Sequence, residues 1–254
     1  MLDAVESRER LASEIAAAVE AGLEAVVVHG GGKQMTRYLA ERGIESQFVN
    51  GLRVTTAEVL DAVLKVLAGS VNQELVAAFL AAGARPVGLS GMDALVTEAR
   101  RMSDELGFVG QPVKSDTRLP ALLIENGYLP VVACVAGDRE GGFYNVNADQ
   151  MAASIAAAFP AERLIFLTDV EGVRGRENHI LQTISTAECR HLIVSGIATG
   201  GMQAKLEAAS AALEAGVGEV VIAPGARVGV IHALLAGEKI GTRLVSGVGV
   251  SKHD

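Results

Sequence analysis

The sequence predicts an α/β fold with a mostly parallel sheet and helices on both faces. Three observations carry that prediction. Short apolar runs alternate with helix-like stretches along nearly the whole chain. The runs are continuous, as in AVVV at 25–28, which suits strands buried on both faces. Turn residues, glycine above all, separate one element from the next.

The elements follow in order. Residues 11–21 read as a helix, 25–28 as a strand and 34–41 as a helix. A long helix is expected from 57 to 82, with Thr55 or Thr56 as its cap. A strand at 86–89 precedes short strands in 95–110 that read as a hairpin. A helix at 117–126 is closed by Gly127, and 129–135 is another buried strand. After a turn at 137–142 come a helix at 149–159 and a strand at 163–168. The polar segment 174–182 reads as a solvent loop. Helices at 186–194 and 202–215, a strand at 219–223, a helix near 228–236 and a strand at 242–245 complete the chain. One feature does not fit: the opening helix lacks the preceding strand that a βαβ unit would give it.

Composition narrows the function classes. The chain has 254 residues, enough for one large unit or two lobes, and half of them are hydrophobic. Trp is absent and aromatics are 4% of residues, so Ala, Val and Leu must fill the core. A net charge of −8 argues against nucleic acid or an anionic membrane surface as partner. No apolar run is expected to span a membrane, and the opening MLDAVESRERLASE is charged rather than signal-like. Cys134 and Cys189 form no CxxC motif and read as buried thiols of a reducing compartment. His29, His179, His191, His232 and His253 show no metal-ligand spacing, so no protein-held metal is expected. A cytoplasmic enzyme fits these bounds.

Five stretches could carry chemistry. AVVVHGGGKQM places Gly30, Gly31 and Gly32 between a strand and a helix, where backbone N–H groups could hold an anion. The simpler reading is a tight turn that needs positive φ. Lys33 makes no P-loop, because GxxxxGK[ST] is unmatched. NGLRVT sets Arg53 before a helix, and its planar fork suits a carboxylate. In FYNVNADQ, Asn145, Asn147 and Asp149 share one side of an extended segment; they suit either a polar substrate or a helix cap and turn. LTDVEGV ends a strand in Thr168 and Asp169, at the carboxyl edge where α/β sheets gather ligands. TGGMQAK offers Gly200 and Gly201 at a helix start and Lys205 on the following turns.

Taken together, these stretches resemble the acetylglutamate kinase family of the amino acid kinase superfamily. VHGGG, NGLRVT, VGLSGMDA, GFVG, ENGYLPVVA, NVNAD, LTDVEG, GGMQAK and IGTRLV recur in the same order, and NGLRVT and NVNAD point to this member. The resemblance implies an open αβα sandwich of two lobes. Residues 1–160 would bind the acetylamino acid and dimerise, and residues 161–254 would bind ATP. It implies Mg²⁺-assisted transfer of phosphate from ATP to the side-chain carboxylate of N-acetyl-L-glutamate, in arginine biosynthesis. Gly31 and Gly32 would line the substrate and the phosphoryl group in transit. Arg53 would hold the α-carboxylate, with Asn145 and Asn147 on the acetylated amino acid. Asp149 would organise the catalytic lysines and Lys205 would neutralise the phosphate. Thr168, Asp169, Val170 and Gly172, with Ile197, Thr199, Gly200, Gly201 and Met202, would cradle the nucleotide. A homodimer or dimer-based homo-oligomer is implied, with the helix at 57–82 as candidate interface.

The likeness departs from the family at the start. Family members open with a K-x-G-G strand carrying a second catalytic lysine, and MLD aligns just after it. Met1 therefore reads as an internal methionine of a longer frame. Two neighbouring readings are an acetylaminoadipate kinase of lysine biosynthesis and a paralogue that binds acetylglutamate without turnover. A dinucleotide-binding oxidoreductase fits poorly, since no GxGxxG follows a strand.

Overall fold

The computed structural model describes residues 4–247. The expectation attached to the opening MLD, and His253, lie outside the described residues. The chain divides into two compact units, one ending at Ile155 and the other beginning at Ala156.

The first unit opens with α1 (Val5–Glu20), which lies against a later helix through Arg8 and Glu74, 2.8 Å apart. Strand β1 (Val27–His29) leads into α2 (Gly32–Ala40), whose Met35 and Leu39 are fully buried. Two strands not expected from the sequence come next, β2 (Phe48–Val49) and β3 (Leu52–Arg53). They pair antiparallel around Asn50 and Gly51, both at positive φ (50° and 80°). That is the backbone a tight Asn-Gly hairpin demands.

The expected long helix is present in three parts. α3 (Ala57–Val63) is capped by Thr56, whose hydroxyl accepts from the Val59 N–H at 3.3 Å. A π-helical stretch, Leu64–Val71, comes second, and α4 (Asn72–Ala81) completes the rod. Contrary to the expectation of no span-length apolar run, Ala57–Ala81 is long and apolar enough to cross a membrane by length and composition. Here it serves as a core helix: Val63, Leu67, Val71, Leu75 and Phe79 are all buried. Burying one such side chain is worth about 1.5–3 kcal/mol, so this face stabilises the unit strongly.

Strand β4 (Pro86–Ser90) joins β7 (Leu129–Ala133) and β1 in a parallel sheet of order β1-β7-β4, with α5 (Arg118–Glu125) packed on β7. The expected hairpin appears as β5 (Thr97–Arg101) and β6 (Val109–Ser115), with a register shift at Glu98/Ala99. With β8 (Val135–Gly137) and β9 (Phe143–Val146) it closes into a small four-stranded barrel. Helix α6 (Ala148–Ala158) starts in this unit, and the unit boundary falls within it.

In the second unit, β10 (Arg163–Thr168), β12 (Glu219–Pro224), β13 (Thr242–Val245) and β11 (Thr183–Ser185) form one sheet in that order. β10/β12 and β11/β13 are parallel, whereas β12/β13 are antiparallel. Helices α7 (Thr186–Val194), α8 (Gly200–Glu214) and α9 (Val230–Leu235) accompany the sheet. α7 begins with a capping box in which Ser185 and Glu188 satisfy each other's N–H groups. The segment 174–182 is mostly loop, drawn together by an Arg174–Ile180 bridge. Both cysteines are buried free thiols. Burial pushes the Cys134 thiol up to about 12 and the Cys189 thiol up to about 11, which leaves both protonated and unreactive.

Candidate active site

The glycine turn sits at the carboxyl end of β1. None of its three glycines lies in the left-handed φ region, so the tight-turn explanation does not hold. Gly31 is extended (φ 179°) and stands at the cap position of α2, with no side chain capping the helix. A Cβ on Gly31 would lie 2.6 Å from Leu67 Cδ2 and 3.3 Å from Val71 Cγ2, both on the π stretch. A Cβ on Gly30 would touch Ala148 at 3.3 Å, while one on Gly32 would meet nothing within 4 Å. The three positions therefore do different work: Gly31 is small because the helix packs on it, and Gly32 is bare on an open side.

This contrast gives a paired prediction. Gly31→Ala is expected to cost about 1–3 kcal/mol of stability, as overpacking does. Gly32→Ala is expected to fold like the parent, because its first-turn position has room, yet to weaken ligand binding. Urea midpoints set beside ligand titrations separate the two; equal midpoints would remove the packing argument.

Arg53 is 9% exposed and converges on the same turn. Its Nη2 donates to the Gly32 carbonyl at 3.2 Å and to Thr36 Oγ1 at 2.8 Å, and its Nη1 donates to Ser46 Oγ. The guanidinium also lies over the Phe48 ring, 4.7 Å from its centroid, so the β2–β3 hairpin covers it. Burial pulls its pKa down from the ordinary value, yet an arginine stays charged.

Asn145 is tied to the Arg53 backbone through Thr55, a residue the sequence marked only as a helix cap. Asn145 Nδ2 donates to Thr55 Oγ1 at 3.0 Å, and that hydroxyl donates to the Arg53 carbonyl at 2.9 Å. Thr55 is fully buried, so its hydroxyl is satisfied on both sides, as burial requires. Asn147 does something simpler. Its Oδ1 accepts from the N–H groups of Asp149 (2.9 Å) and Gln150 (3.1 Å), which caps α6. The cap aligns the helix start on which Asp149 stands.

His29, the residue before the glycines, was not anticipated as part of the site. It is 4% exposed, and its ring bonds the Gly30 carbonyl through Nδ1 (3.0 Å) and Asn72 Nδ2 through Nε2 (3.0 Å). A carbonyl only accepts and an amide nitrogen only donates, so the ring is neutral with its proton on Nδ1. Burial, the dominant cause, lowers its pKa below 6.5. The unfolded chain then binds the extra proton first as pH falls. Stability from this site is complete above pH ~6.5, the unfolded value, and is lost as pH falls through the lower folded value. His29→Asn is expected to flatten that acid limb, checked by urea midpoints between pH 7.5 and 5.

In the second unit, β10 ends at Thr168, whose carbonyl accepts from Gly225 N–H at 2.9 Å. Asp169 and Val170 are exposed beyond the strand end. Gly172 is buried, and a Cβ there would lie 2.8 Å from Thr242 Oγ1, the hydroxyl that accepts from Val173 N–H. Thr199 precedes α8 without a side-chain cap, and Cβ atoms on Gly200 or Gly201 would meet nothing within 4 Å. The helix therefore begins with bare N–H groups in open space, a fit for phosphate oxygens. Ile197 and Met202 are half-buried to either side. Lys205 stands on the second turn, its Nζ 4.8 Å from the centroid of the Phe166 ring on β10. Among the described residues no trio of His, Cys, Asp or Glu is placed to hold a metal ion.

Comparisons with known proteins agree in direction. Residues 2–224 match the amino acid kinase family. An acetylglutamate kinase from Solibacter usitatus is 60% identical over 246 residues, 97% of this chain and 96% of that protein. An acetylglutamate kinase from Koribacter versatilis is 43% identical, covering 92% of this chain and 91% of that protein. Among solved structures, N-acetylglutamate synthase from Neisseria gonorrhoeae, complexed with coenzyme A and N-acetyl-glutamate, is similar with a TM-score of 0.85. It is 27% identical, and the match covers 97% of this chain but 57% of that one.

Proposed function

The chain belongs to the amino acid kinase family, among its acetylglutamate kinases, and we propose that it phosphorylates the side-chain carboxylate of N-acetyl-L-glutamate with ATP, in arginine biosynthesis. The observation that carries this reading is the Arg53 guanidinium on the Gly32 carbonyl at the head of α2, with Asn145 tied through Thr55 to the Arg53 backbone carbonyl. A buried guanidinium beside a bare glycine turn suits a substrate with a carboxylate to be held and another to be phosphorylated.

The chemistry asks little covalent work of the protein. A carboxylate oxygen of the substrate attacks the γ-phosphorus, the bond to the β–γ bridging oxygen breaks, and ADP leaves with that electron pair. The nucleophile is already an anion, so no general base is needed and Asp149 serves to orient cations. Arg53 holds the α-carboxylate, Asn145 and Asn147 border the acetylated amino acid, and Gly31 and Gly32 offer N–H groups to the transferring phosphoryl. Gly200, Gly201 and their neighbours 168–172 and 197–202 hold the nucleotide phosphates and base, and Lys205 offsets charge as it develops. Mg²⁺, which neutralises nucleotide oxygens in such transfers, would be held mainly by the phosphates. We further propose lobes at 1–160 for the acetylamino acid and 161–254 for ATP, a dimer-based homo-oligomer, and a cytoplasmic location.

The test traps acyl phosphate with hydroxylamine after incubation with ATP, Mg²⁺ and N-acetyl-L-glutamate, with N-acetyl-aminoadipate in parallel. A chain extended upstream by a K-x-G-G strand runs beside it. Hydroxamate from acetylglutamate in either protein is the expected result. Preference for aminoadipate, or no hydroxamate from either protein, would overturn the reading.

A further inference from the structure

Behind the glycine turn lies a polar cluster that the phosphoryl-transfer chemistry leaves unused. His29 closes an apolar strand and Asn72, 2% exposed, interrupts an apolar helix. Burying such groups is costly unless their polar atoms are paired. Here Asn72 Nδ2 donates to His29 Nε2 at 3.0 Å and to the Val131 carbonyl on β7 at 2.9 Å, with the Leu89 carbonyl on β4 at 3.4 Å. The imidazole in turn donates from Nδ1 to the Gly30 carbonyl.

We propose that His29 and Asn72 are positioning residues that hold the Gly30–Gly31 peptide in the one orientation that turns the Gly31 N–H toward the phosphoryl site. The inference rests on the acetylglutamate kinase reading of that site.

The geometry is a consequence of peptide planarity. No cis peptide occurs in the described residues, so the Gly30 C=O and the Gly31 N–H point in opposite directions from one rigid plane. With the carbonyl held on the imidazole side, the N–H is fixed on the other. Such a lock is needed because glycine flanks the plane on both sides, and glycine has a wide choice of φ and ψ. The lock is itself braced. Asn72 can lie against β4 only because residue 88 is glycine, where a Cβ would stand 2.2 Å from Asn72 Oδ1. The π stretch sets the register of α4, and it ends at Val71, directly before Asn72. The same stretch lays Leu67 and Val71 over Gly31, closing the space into which the turn could relax.

The test compares the parent with His29→Phe, which removes both ring bonds, and His29→Asn, which keeps a donor near the Gly30 carbonyl. All three are labelled with ¹⁵N-glycine. In the hydroxylamine assay His29→Phe is expected to lower kcat about 10- to 100-fold, somewhat less than outright loss of an oxyanion donor. KM values for ATP and acetylglutamate should stay within about threefold, since ground-state binding is not the function assigned. His29→Asn should recover most of the lost kcat. The Gly31 amide resonance should be single in the parent and split or broadened in His29→Phe. A kcat for His29→Phe within about threefold of the parent, or no recovery in His29→Asn, would overturn the proposal. If His29→Phe does not fold, Asn72→Ser, which frees the imidazole without removing it, takes its place under the same criteria. If the parent turns over no acetylglutamate, the variants are rebuilt in the chain extended by the K-x-G-G strand; if that chain is also silent, the kinase reading falls and the amide resonance decides alone. One sharp Gly31 signal in every variant would then refute positioning, and heterogeneity confined to the unlocked variant would uphold it.

Discussion

Lys205→Ala is expected to lower kcat by about 10³- to 10⁵-fold, the range seen when a cation that meets transition-state charge is withdrawn from a phosphoryl transfer. The position supports a figure of this size. Lys205 stands on the second turn of α8, one turn beyond Gly200 and Gly201, whose open N–H groups suit phosphate. Its Nζ lies 4.8 Å from the centroid of the buried Phe166 ring, so the ammonium is held beside β10 rather than sweeping through solvent. The cation–π contact contributes about 0.5–1 kcal/mol to folding, so the variant should remain folded with a urea midpoint close to the parent's. KM for either substrate should move far less than kcat, because the charge it offsets is largest in the transition state. Lys205→Arg keeps the charge and should recover part of the rate. A kcat for Lys205→Ala within about threefold of the parent would remove the lysine from the mechanism.

The regular elements were the legible part of the fold. The strands at 163–168 and 242–245 and the helix at 186–194 have the limits their apolar runs suggested, since buried strands and amphipathic helices write their period into the sequence. The β2–β3 hairpin escaped notice although Asn50-Gly51 is a strong turn signal, because strands of two residues are too short to show alternation. The small barrel could not be foreseen, because its parallel pairings join segments far apart in the chain. The antiparallel placement of β13 beside β12 was hidden for the same reason.

At the candidate site, residue types were legible and their reasons were not. Three glycines after a strand signalled an anion turn, but Gly31 is bare because Leu67 and Val71 of a π-helical stretch lie over it. No local pattern announces that register change. Asn147 carried two readings, and the structure places its carbonyl oxygen on the start of α6. Thr55 and the His29–Asn72 pair escaped notice because their partners lie 40 to 90 residues away in sequence. A polar residue inside an apolar run, as in AVVVH and SVN, was the available clue.

Arg53→Ala should raise KM for N-acetyl-L-glutamate by about 10²- to 10³-fold, because it removes one member of a buried charge pair worth roughly 2–5 kcal/mol when truncated. Two further losses arise from its contacts. The Gly32 carbonyl, Thr36 Oγ1 and Ser46 Oγ each lose a donor, and Phe48 loses the cation beneath it. Unpaired acceptors cost about 1–3 kcal/mol when buried, so the urea midpoint should fall as well, by less than the sum because Thr36 is exposed. Arg53→Lys separates the two effects. An ammonium restores the charge but cannot span Gly32, Thr36 and Ser46 in one plane, so it should regain part of the stability and little of the affinity. KM for ATP gives the internal control, since Arg53 is assigned to the acetylamino acid alone. If Arg53→Ala leaves acetylglutamate affinity within about threefold, the guanidinium is a brace between β3 and α2, and the carboxylate must be held elsewhere. If affinity falls while KM for ATP holds, the three protein contacts seen at Arg53 are the frame that presents its remaining N–H groups to the substrate.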